Sequence, residues 1–283
     1  MNGRIRVGVI GLGRMGGPIA DHLIAAGHDV RVYDISEAAI APRVAVGATA
    51  ATSPMHAAEG AAFISVIVFD DAQATEAIAG PEGVLRTLEP GAIISVHTTV
   101  STETIHSLAA QATAIGVAVI DAGISGGEVG AVAGTLLTMV GGPADVIERV
   151  RPVLGTFSKE VLHAGPLGAG MALKLARNAC GYAMMAAVHE AMELARRSGV
   201  DLEMLRHTIA TTGVFDQALA PFNLGGPDPL PDDAPAAARL AMEHLERLAD
   251  KDLAQALALA QRVAADTPVF VETHRTFRRV ARL

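Results

Sequence analysis

The fold class is decided by the stretch Arg4-Ile5-Arg6-Val7-Gly8-Val9-Ile10-Gly11-Leu12-Gly13-Arg14-Met15-Gly16. It opens as a short run rich in β-branched residues, which is typical of a strand, and passes directly into the spacing G-x-G-x-x-G. Helix-forming residues follow to Ala26, and Gly27 stands where helices commonly end. A strand, a glycine turn and a helix in this order predict the first unit of a doubly wound α/β domain.

The spacing of the three glycines also predicts a binding site. Gly11 permits the tight turn, Gly13 lets a pyrophosphate approach the backbone, and Gly16 lets helix and strand pack closely. The first turn of the helix then offers free N–H groups to the phosphates. The predicted cofactor-binding residues of this turn are Gly11, Leu12, Gly13, Arg14, Met15 and Gly16.

The type of dinucleotide is indicated by Asp34, which follows the second predicted strand, Val30–Tyr33. A carboxylate at this position accepts hydrogen bonds from both hydroxyls of the adenosine ribose, and it repels a 2′-phosphate. Ile35 and Ser36 supply no arginine that could hold such a phosphate. The sequence therefore predicts NAD rather than NADP as the cofactor.

The organisation of the chain changes about half-way along it. Up to about His163, short apolar runs alternate with helix-compatible segments, which predicts a parallel, doubly wound sheet with both faces covered. After that point the segments are helical, and the first is one long helix over Met171–Ser198. We therefore predict an NAD-binding Rossmann domain over residues 1–165 and an all-helical domain for substrate binding and dimerisation over residues 166–283. Further strands are expected at Ala62–Phe69, Ala92–Val96, Val117–Ile120 and Leu136–Val140, and further helices at Leu202–Thr212 and from Ala236 to Ala265.

Composition excludes several classes of protein. The 283 residues are 51% hydrophobic and 18% charged, which is ample apolar material for a core. A net charge of −8 and 3% aromatic residues argue against a nucleic-acid partner. The single cysteine, Cys180, excludes an internal disulfide and a cysteine-based metal site, and no metal is expected. The longest apolar run, residues 61–68 with Ser65 inside it, is too short to span a membrane, so we expect a cytoplasmic protein without a membrane partner.

A second glycine-rich pattern lies at Asp121–Gly127 and reads D-A-G-I-S-G-G. It follows a predicted strand and ends in Ser125, Gly126 and Gly127, which can present one hydroxyl and two unhindered amides to a carboxylate. Taken alone, the pattern is equally compatible with a plain glycine-rich loop.

Lys174 and Asn178 lie four residues apart, and therefore on one face of the predicted long helix. A lysine on a helix is usually a solvated surface cation. Here, however, only three of the 22 basic residues are lysines, so the chain relies on arginine for its surface charge. A desolvated lysine can lose its proton whereas an arginine cannot, and Lys174 is therefore a candidate proton donor and acceptor.

Together these motifs resemble those of the β-hydroxyacid dehydrogenase family, which includes 3-hydroxyisobutyrate dehydrogenases and tartronate semialdehyde reductases. D-A-G-I-S-G-G is similar to the family's D-A-P-V-S-G-G substrate motif, and Gly168–Asn178 matches its G-x-G-x-x-x-K-x-x-x-N catalytic motif. Lys251-Asp252-Leu253 is similar to its late K-D-L segment. The family's fold is a Rossmann domain joined by a long helix to an all-α domain, through which its members form dimers or tetramers.

The resemblance implies a reaction and the residues that perform it. The chain would transfer a hydride between NAD and a small 3-hydroxy acid that carries a carboxylate. Lys174 would be the general acid and base, and Asn178 would orient it and hold the reacting oxygen. A homodimer or homotetramer would form through the helical domain. The implied substrate-binding residues are Ser125, Gly126, Gly127 and Lys251, and the implied further cofactor-binding residues are Val68, Phe69, Thr99 and Lys251.

Departures from the family's patterns leave the substrate open. Gly123, Thr102 and Phe69 each replace a usual proline. A reductase of a semialdehyde such as tartronate semialdehyde is one alternative, and an imine or ketone reductase of the same superfamily is another. Those imine reductases generally lack the catalytic lysine and prefer NADPH, so Lys174 and Asp34 point away from them. A protein that binds NAD without turning over a substrate is a third alternative.

The segment from Pro221 to Pro235 contains five prolines and two adjacent glycines, a composition that breaks helices. We predict an extended loop there. It is either a plain surface connection or a lid in which Phe222 and Leu224 shape the substrate pocket.

Overall fold

The computed structural model describes residues 3–223 and 226–283. The chain forms two compact units, Met1–Asn178 and Ala179–Leu283, and the division falls inside one long helix. The predicted domains, 1–165 and 166–283, divide the chain just before that helix, and the roles assigned to them remain predictions.

One β-sheet forms the centre of the first unit. Its strands are β1 (Arg6–Ile10), β2 (Asp29–Tyr33), β3 (Thr49–Ala50), β4 (Phe63–Val66), β5 (Ile93–Val96), β6 (Ala118–Ser125), β7 (Leu136–Gly141) and β8 (Ser158–Gly165). They lie in the order β3-β2-β1-β4-β5-β6-β7-β8. All neighbours are parallel except β6 and β7, so the prediction of a wholly parallel sheet is wrong at this pair. The connection from Ser125 to Leu136 is too short for the crossover of about a dozen residues that parallel neighbours need.

Helices cover both faces of this sheet. They are α1 (Gly16–Ala25), α2 (Glu37–Ala45), α3 (Pro54–Ala58), α4 (Asp71–Ala79), α5 (Thr102–Thr113), α6 (Gly127–Ala133) and α7 (Ala144–Leu154), with a 3₁₀ turn at Val84–Arg86. One apolar cluster packs Leu23 of α1 and Val150 of α7 against the sheet, and a second packs Ile78 of α4 and Leu108 of α5. Because both faces are buried, β4 and β5 are buried at every residue. This arrangement confirms the predicted doubly wound fold.

The long helix α8 (Ala169–Arg197) follows β8 and also confirms its prediction. At 1.5 Å per residue its 29 residues span about 43 Å. The second unit continues with α9 (Leu202–Thr212), α10 (Val214–Gln217), α11 (Ala220–Asn223), α12 (Ala236–Arg262) and α13 (Pro268–Val280). Within the described ranges, no helix combines the length and the apolar character needed to cross a membrane.

Some elements differ from the predictions. β8 lies at the edge of the sheet and carries Lys159 and Glu160, so it has no apolar run to mark it. α13 was not predicted either. It begins where the buried carboxylate of Glu190 accepts the N–H groups of Val269 at 2.7 Å and Phe270 at 2.9 Å. No local pattern indicates this contact, because Glu190 lies far away in sequence.

The predicted loop at 221–235 is helical at its start. Pro221 and Phe222 belong to α11, which is possible because a helix tolerates proline in its first turn. Leu224, and with it the prediction for its side chain, lies outside the described residues.

Candidate active site

The glycine turn joins β1 to α1 and is closely packed at two of its three glycines. Gly11 has a φ of +91°, a conformation that favours glycine, and a Cβ there would overlap the carbonyl of Ile67. A Cβ on Gly16 would overlap the Gly11 carbonyl. By contrast, a Cβ on Gly13 would lie more than 4 Å from every described atom outside its two neighbours in the chain. The backbone is therefore open at the position where the motif predicts a pyrophosphate.

A cavity of about 570 Å³ opens beside this turn, a volume within the usual range of small-molecule and cofactor sites. It extends from the turn along the end of β2 to the loop after β4. Thr99 does not line it, and Lys251 belongs to the second unit. The predicted cofactor-binding residues that line the cavity are Gly11, Gly13, Arg14, Met15, Gly16, Asp34, Val68 and Phe69.

Asp34 faces the cavity and also holds the glycine turn. Its Oδ2 accepts a hydrogen bond from the Leu12 backbone N–H at 2.6 Å, and its Oδ1 accepts one from the Ser36 N–H at 2.8 Å. Leu12 itself is buried and contributes through its backbone rather than through the cavity wall. Each carboxylate oxygen of Asp34 keeps a further acceptor position, which can receive a ribose hydroxyl.

The loop after β4, which carries Val68 and Phe69, is fixed by Thr98. The Thr98 hydroxyl oxygen accepts the Val68 N–H at 2.9 Å and donates to the Val68 carbonyl at 3.1 Å. Thr98 is buried, whereas the predicted residue Thr99 is exposed. Thr98 was not predicted from the sequence, where the signal for it was the pair of adjacent threonines.

His97 directly follows β5, and its side chain connects the start of the segment after β5 to β6. Its Nδ1 lies 2.8 Å from the Ala122 carbonyl oxygen, which can only accept, so Nδ1 carries the proton. Burial lowers the pKa of His97 to about 4, and the imidazole is therefore neutral at neutral pH. Its ring packs edge-on against Phe157, with ring centroids 5.8 Å apart.

The prediction that the D-A-G-I-S-G-G pattern follows a strand is wrong, because most of the pattern forms the end of β6 itself. β6 extends to Ser125, and alternation along it places Asp121, Gly123 and Ser125 on one face. Gly126 and Gly127 then turn the chain with φ values of +132° and +62°. The residues predicted to bind a carboxylate therefore form the end of a strand and the turn after it.

Asp121 attaches this strand to the start of α8. Its Oδ1 accepts the Gly168 N–H at 2.7 Å, and its Oδ2 accepts the Met171 N–H at 2.6 Å. The carboxylate is fully buried, so these bonds are shielded from water. Asp121 begins a motif that was predicted from the sequence, but this anchoring function of its carboxylate was not predicted.

Lys174 lies on the next turn of α8 and reaches the same strand. Its Nζ donates a hydrogen bond to the carbonyl of Ile124, the residue before Ser125. The side chain is half-buried. Burial, and to a smaller extent the positive charge of Arg177, lowers the pKa of Lys174 below the ordinary lysine value. The structure thus brings Lys174 next to Ser125, two residues that lie far apart in sequence.

Asn178 follows one turn later on α8, and its Oδ1 accepts a hydrogen bond from the Arg177 guanidinium at 3.3 Å. Lys251 lies on α12 in the second unit, where its exposed amine forms an ion pair with Asp252 at 3.2 Å. Its predicted roles therefore remain proposals.

Comparisons with known proteins show the family of the chain. The model of the NAD-binding domain of 6-phosphogluconate dehydrogenase matches residues 6–165. A 3-hydroxyisobutyrate dehydrogenase of Pseudomonas aeruginosa is 36% identical over 93% of this chain and 88% of that protein. An NAD-dependent L-serine dehydrogenase of the same species is 33% identical over 93% of this chain and 88% of that protein. The chain belongs to the β-hydroxyacid dehydrogenase family.

A solved structure extends the likeness to the whole fold. The 3-hydroxyisobutyrate dehydrogenase of Mycobacterium tuberculosis, determined with L-serine, is 27% identical with a TM-score of 0.70 over 99% of this chain and 94% of that one. As a member of this family, the chain is an oxidoreductase that uses a nicotinamide dinucleotide. The glycine turn and the cavity beside it fit that cofactor.

Proposed function

We propose that this chain oxidises a small 3-hydroxy acid similar to 3-hydroxyisobutyrate with NAD⁺, or reduces the corresponding semialdehyde with NADH. The observation that carries the proposal is the hydrogen bond from the Lys174 amine to the Ile124 carbonyl. It places a basic group one residue away from Ser125, at the strand end where a carboxylate is expected to bind.

The substrate class follows from this closeness. Ser125, Gly126 and Gly127 would hold the carboxylate through a hydroxyl and backbone amides. A molecule whose carboxylate is held there and whose hydroxyl lies at the Lys174 amine must carry its carboxylate and its hydroxyl a few bonds apart. A compact hydroxy acid satisfies this condition.

The chain's own residues would manage the proton. A bound nicotinamide accepts the hydride in oxidation and supplies it in reduction. Lys174 would take the hydroxyl proton at Nζ in oxidation and return it in reduction. The amine must be neutral to act as a base, and its partial burial favours that form. Asn178 would donate its side-chain amide to the reacting oxygen.

The charge around the cavity supports NAD over NADP. Asp34, Glu76 and Glu82 line the cavity, and the basic lining residue Arg14 lies 3.7 Å from Glu128, with which it forms an ion pair. A 2′-phosphate near Asp34 would therefore meet like charges.

Three further assignments rest on the family resemblance. Lys251 is proposed to contact substrate and cofactor, and Thr99 is proposed to lie beside the nicotinamide. Residues 1–165 are proposed to bind the cofactor and residues 166–283 to bind the substrate and a second copy of the chain. Lys174 and Asp34 also favour this reaction over that of an imine reductase, which generally lacks the lysine.

A panel of substrates tests the proposal. The purified chain is mixed with NAD⁺ or NADP⁺ and with 3-hydroxyisobutyrate, 3-hydroxypropionate, L-serine, a sulfonated analogue and a simple cyclic amine, and absorbance of the reduced cofactor is followed. We expect turnover of at least one hydroxy acid, with kcat/KM for NAD⁺ at least ~10-fold above that for NADP⁺. Turnover of the amine alone would contradict the proposed substrate class, and a preference for NADP⁺ would contradict the proposed cofactor.

A further inference from the structure

The stem of Lys174 occupies the space in which a side chain at position 123 would lie. A Cβ built on Gly123 would be 2.9 Å from Lys174 Cβ, 3.3 Å from its Cγ and 3.4 Å from its Cδ. Carbon atoms without a bond between them prefer about 3.5–4.0 Å. The nearest atom is the first of the lysine side chain, so it cannot swing aside as the end of a long chain can.

We propose that Gly123 is a positioning residue for Lys174: because it has no side chain, the lysine stem lies directly across β6 and delivers the amine to the Ile124 carbonyl. This inference rests on the proposed function, in which Lys174 carries the proton.

The start of α8 cannot move away easily to make room for a larger residue. Asp121 holds the backbone at Gly168 and Met171 through two short hydrogen bonds. Gly170 lies so close to β7 that a Cβ there would be 2.8 Å from the backbone nitrogen of Gly141. A methyl group at position 123 would therefore meet a Lys174 Cβ that the helix holds in place, and it would push the rest of the stem, from Cγ outward, off β6.

The displacement has a consequence for catalysis. A stem pushed off β6 takes the amine away from the Ile124 carbonyl and from the substrate hydroxyl. It also becomes more exposed, and because burial is the main cause of the lowered pKa of Lys174, that pKa should rise. Oxidation needs the neutral amine, so its dependence on pH should move to higher pH.

The experiment compares Gly123→Ala with wild type over a range of pH, using the hydroxy acid found in the panel. We expect kcat for oxidation at neutral pH to fall ~10–100-fold, since a catalytic group misplaced by about 1 Å can cost that much. The midpoint of the pH profile should rise, while the Kd for NADH stays within ~2-fold, because the glycine turn is untouched.

Gly130→Ala is the matched control. Gly130 is also buried beside β7, but a Cβ there would approach only flexible side-chain ends, the nearest being Leu136 Cδ2 at 3.3 Å. It should keep the wild-type kcat and pH profile. If Gly123→Ala also keeps both, the inference is wrong, whereas the proposed function stands as long as Lys174→Ala is inactive.

A double variant keeps the test decisive if Gly123→Ala fails to fold. Lys174→Gly removes the stem that the new methyl group would meet, so Gly123→Ala should be tolerated in that background. Folding of the double variant, judged by NADH binding, supports the contact. Failure of the double variant, with Lys174→Gly alone folded, overturns it.

Discussion

Asp34 is the residue on which the cofactor preference is expected to depend. Its two carboxylate oxygens accept N–H groups from Leu12 and Ser36, so the side chain is held in place independently of any ligand. The next residue, Ile35, lines the cavity, is 89% exposed and carries no charge. A 2′-phosphate would therefore find a fixed negative charge at position 34 and an uncharged side chain at position 35.

Combining Asp34→Asn with Ile35→Arg should shift the preference toward NADP⁺. The pair removes the repulsion and adds a guanidinium that can hold a phosphate. We expect the ratio of kcat/KM for NADP⁺ to that for NAD⁺ to rise at least ~10-fold. An asparagine has one acceptor oxygen, so one of the two N–H groups loses its partner and NAD⁺ binding should weaken as well.

The control for this exchange is Val46→Arg, which adds the same charge at an exposed position just after α2 and outside the cavity. Its cofactor ratio should equal that of wild type. The same shift in Val46→Arg would show that bulk charge, rather than the contact at Asp34, sets the preference.

At the residue scale, most of the predicted cofactor residues line one cavity, but the sequence did not distinguish neighbouring residues. The glycine turn, Asp34 and Val68 all meet at one cavity, because a short motif with a known geometry places them there. Thr98 and Thr99 differ only in which side of the chain they face, since consecutive residues of an extended chain point in opposite directions. That choice depends on packing against Val68, which no local pattern records.

Among the elements, the junction of β6 with α8 is the one that places the candidate base. Asp121 on β6 accepts two N–H groups from the first turn of α8 and is fully buried. A buried N–H that loses its acceptor costs about 1–3 kcal/mol. The position of Lys174 should therefore depend on this carboxylate.

Asp121→Asn should loosen the start of α8, because asparagine can accept only one of the two bonds with its oxygen. We expect the free energy of local opening at Gly168 and Met171 to fall by about 1–3 kcal/mol, measured by hydrogen exchange. The matched control is Asp201→Asn, since Asp201 caps α9 through the Met204 N–H at 3.0 Å but is exposed. Asparagine caps helices as well as aspartate does, so exchange there should hardly change. Equal effects of the two variants would contradict the anchoring role of Asp121.

The elements also show where sequence patterns reach their limit. The apolar run at 117–120 marks β6, but the strand continues through a glycine-rich motif because β7 pairs with it as far as Ser125. β8 was missed because an edge strand needs no apolar run, and α13 because its first turn depends on Glu190. In each case a distant partner, rather than local composition, determines the element.

At the scale of the whole molecule, the alternation of strands and helices was enough to predict the doubly wound sheet and the long helix. The antiparallel pair was not foreseen, since it follows from the length of one connection. The helical unit exposes Tyr182, Met185 and Phe222, residues that are 67%, 69% and 81% exposed. Aromatic and methionine side chains of this kind are enriched at interfaces between proteins.

We therefore expect a homodimer or homotetramer in solution that forms through the helical unit. Met185→Glu should weaken association, because it places a charge on an apolar surface that also includes Met184 and Phe215. Light scattering of the purified chain measures the mass directly. Val129→Glu, at an exposed position on α6 of the first unit, is the control and should leave the mass unchanged. A wild-type chain that is monomeric at micromolar concentration would contradict the expectation.

The central claim is that Lys174 transfers the proton, and the most direct test is the kcat of Lys174→Ala with the hydroxy acid found in the panel. We predict a fall of ~10²–10⁴-fold with the Kd for NADH within ~2-fold of wild type, since proton transfer is lost and the cofactor cavity is not. Lys174→Arg should not restore the rate, because arginine keeps its proton. Lys159→Ala removes another lysine, on the exposed edge strand β8, and should leave kcat unchanged. Near-wild-type turnover by Lys174→Ala would contradict the account.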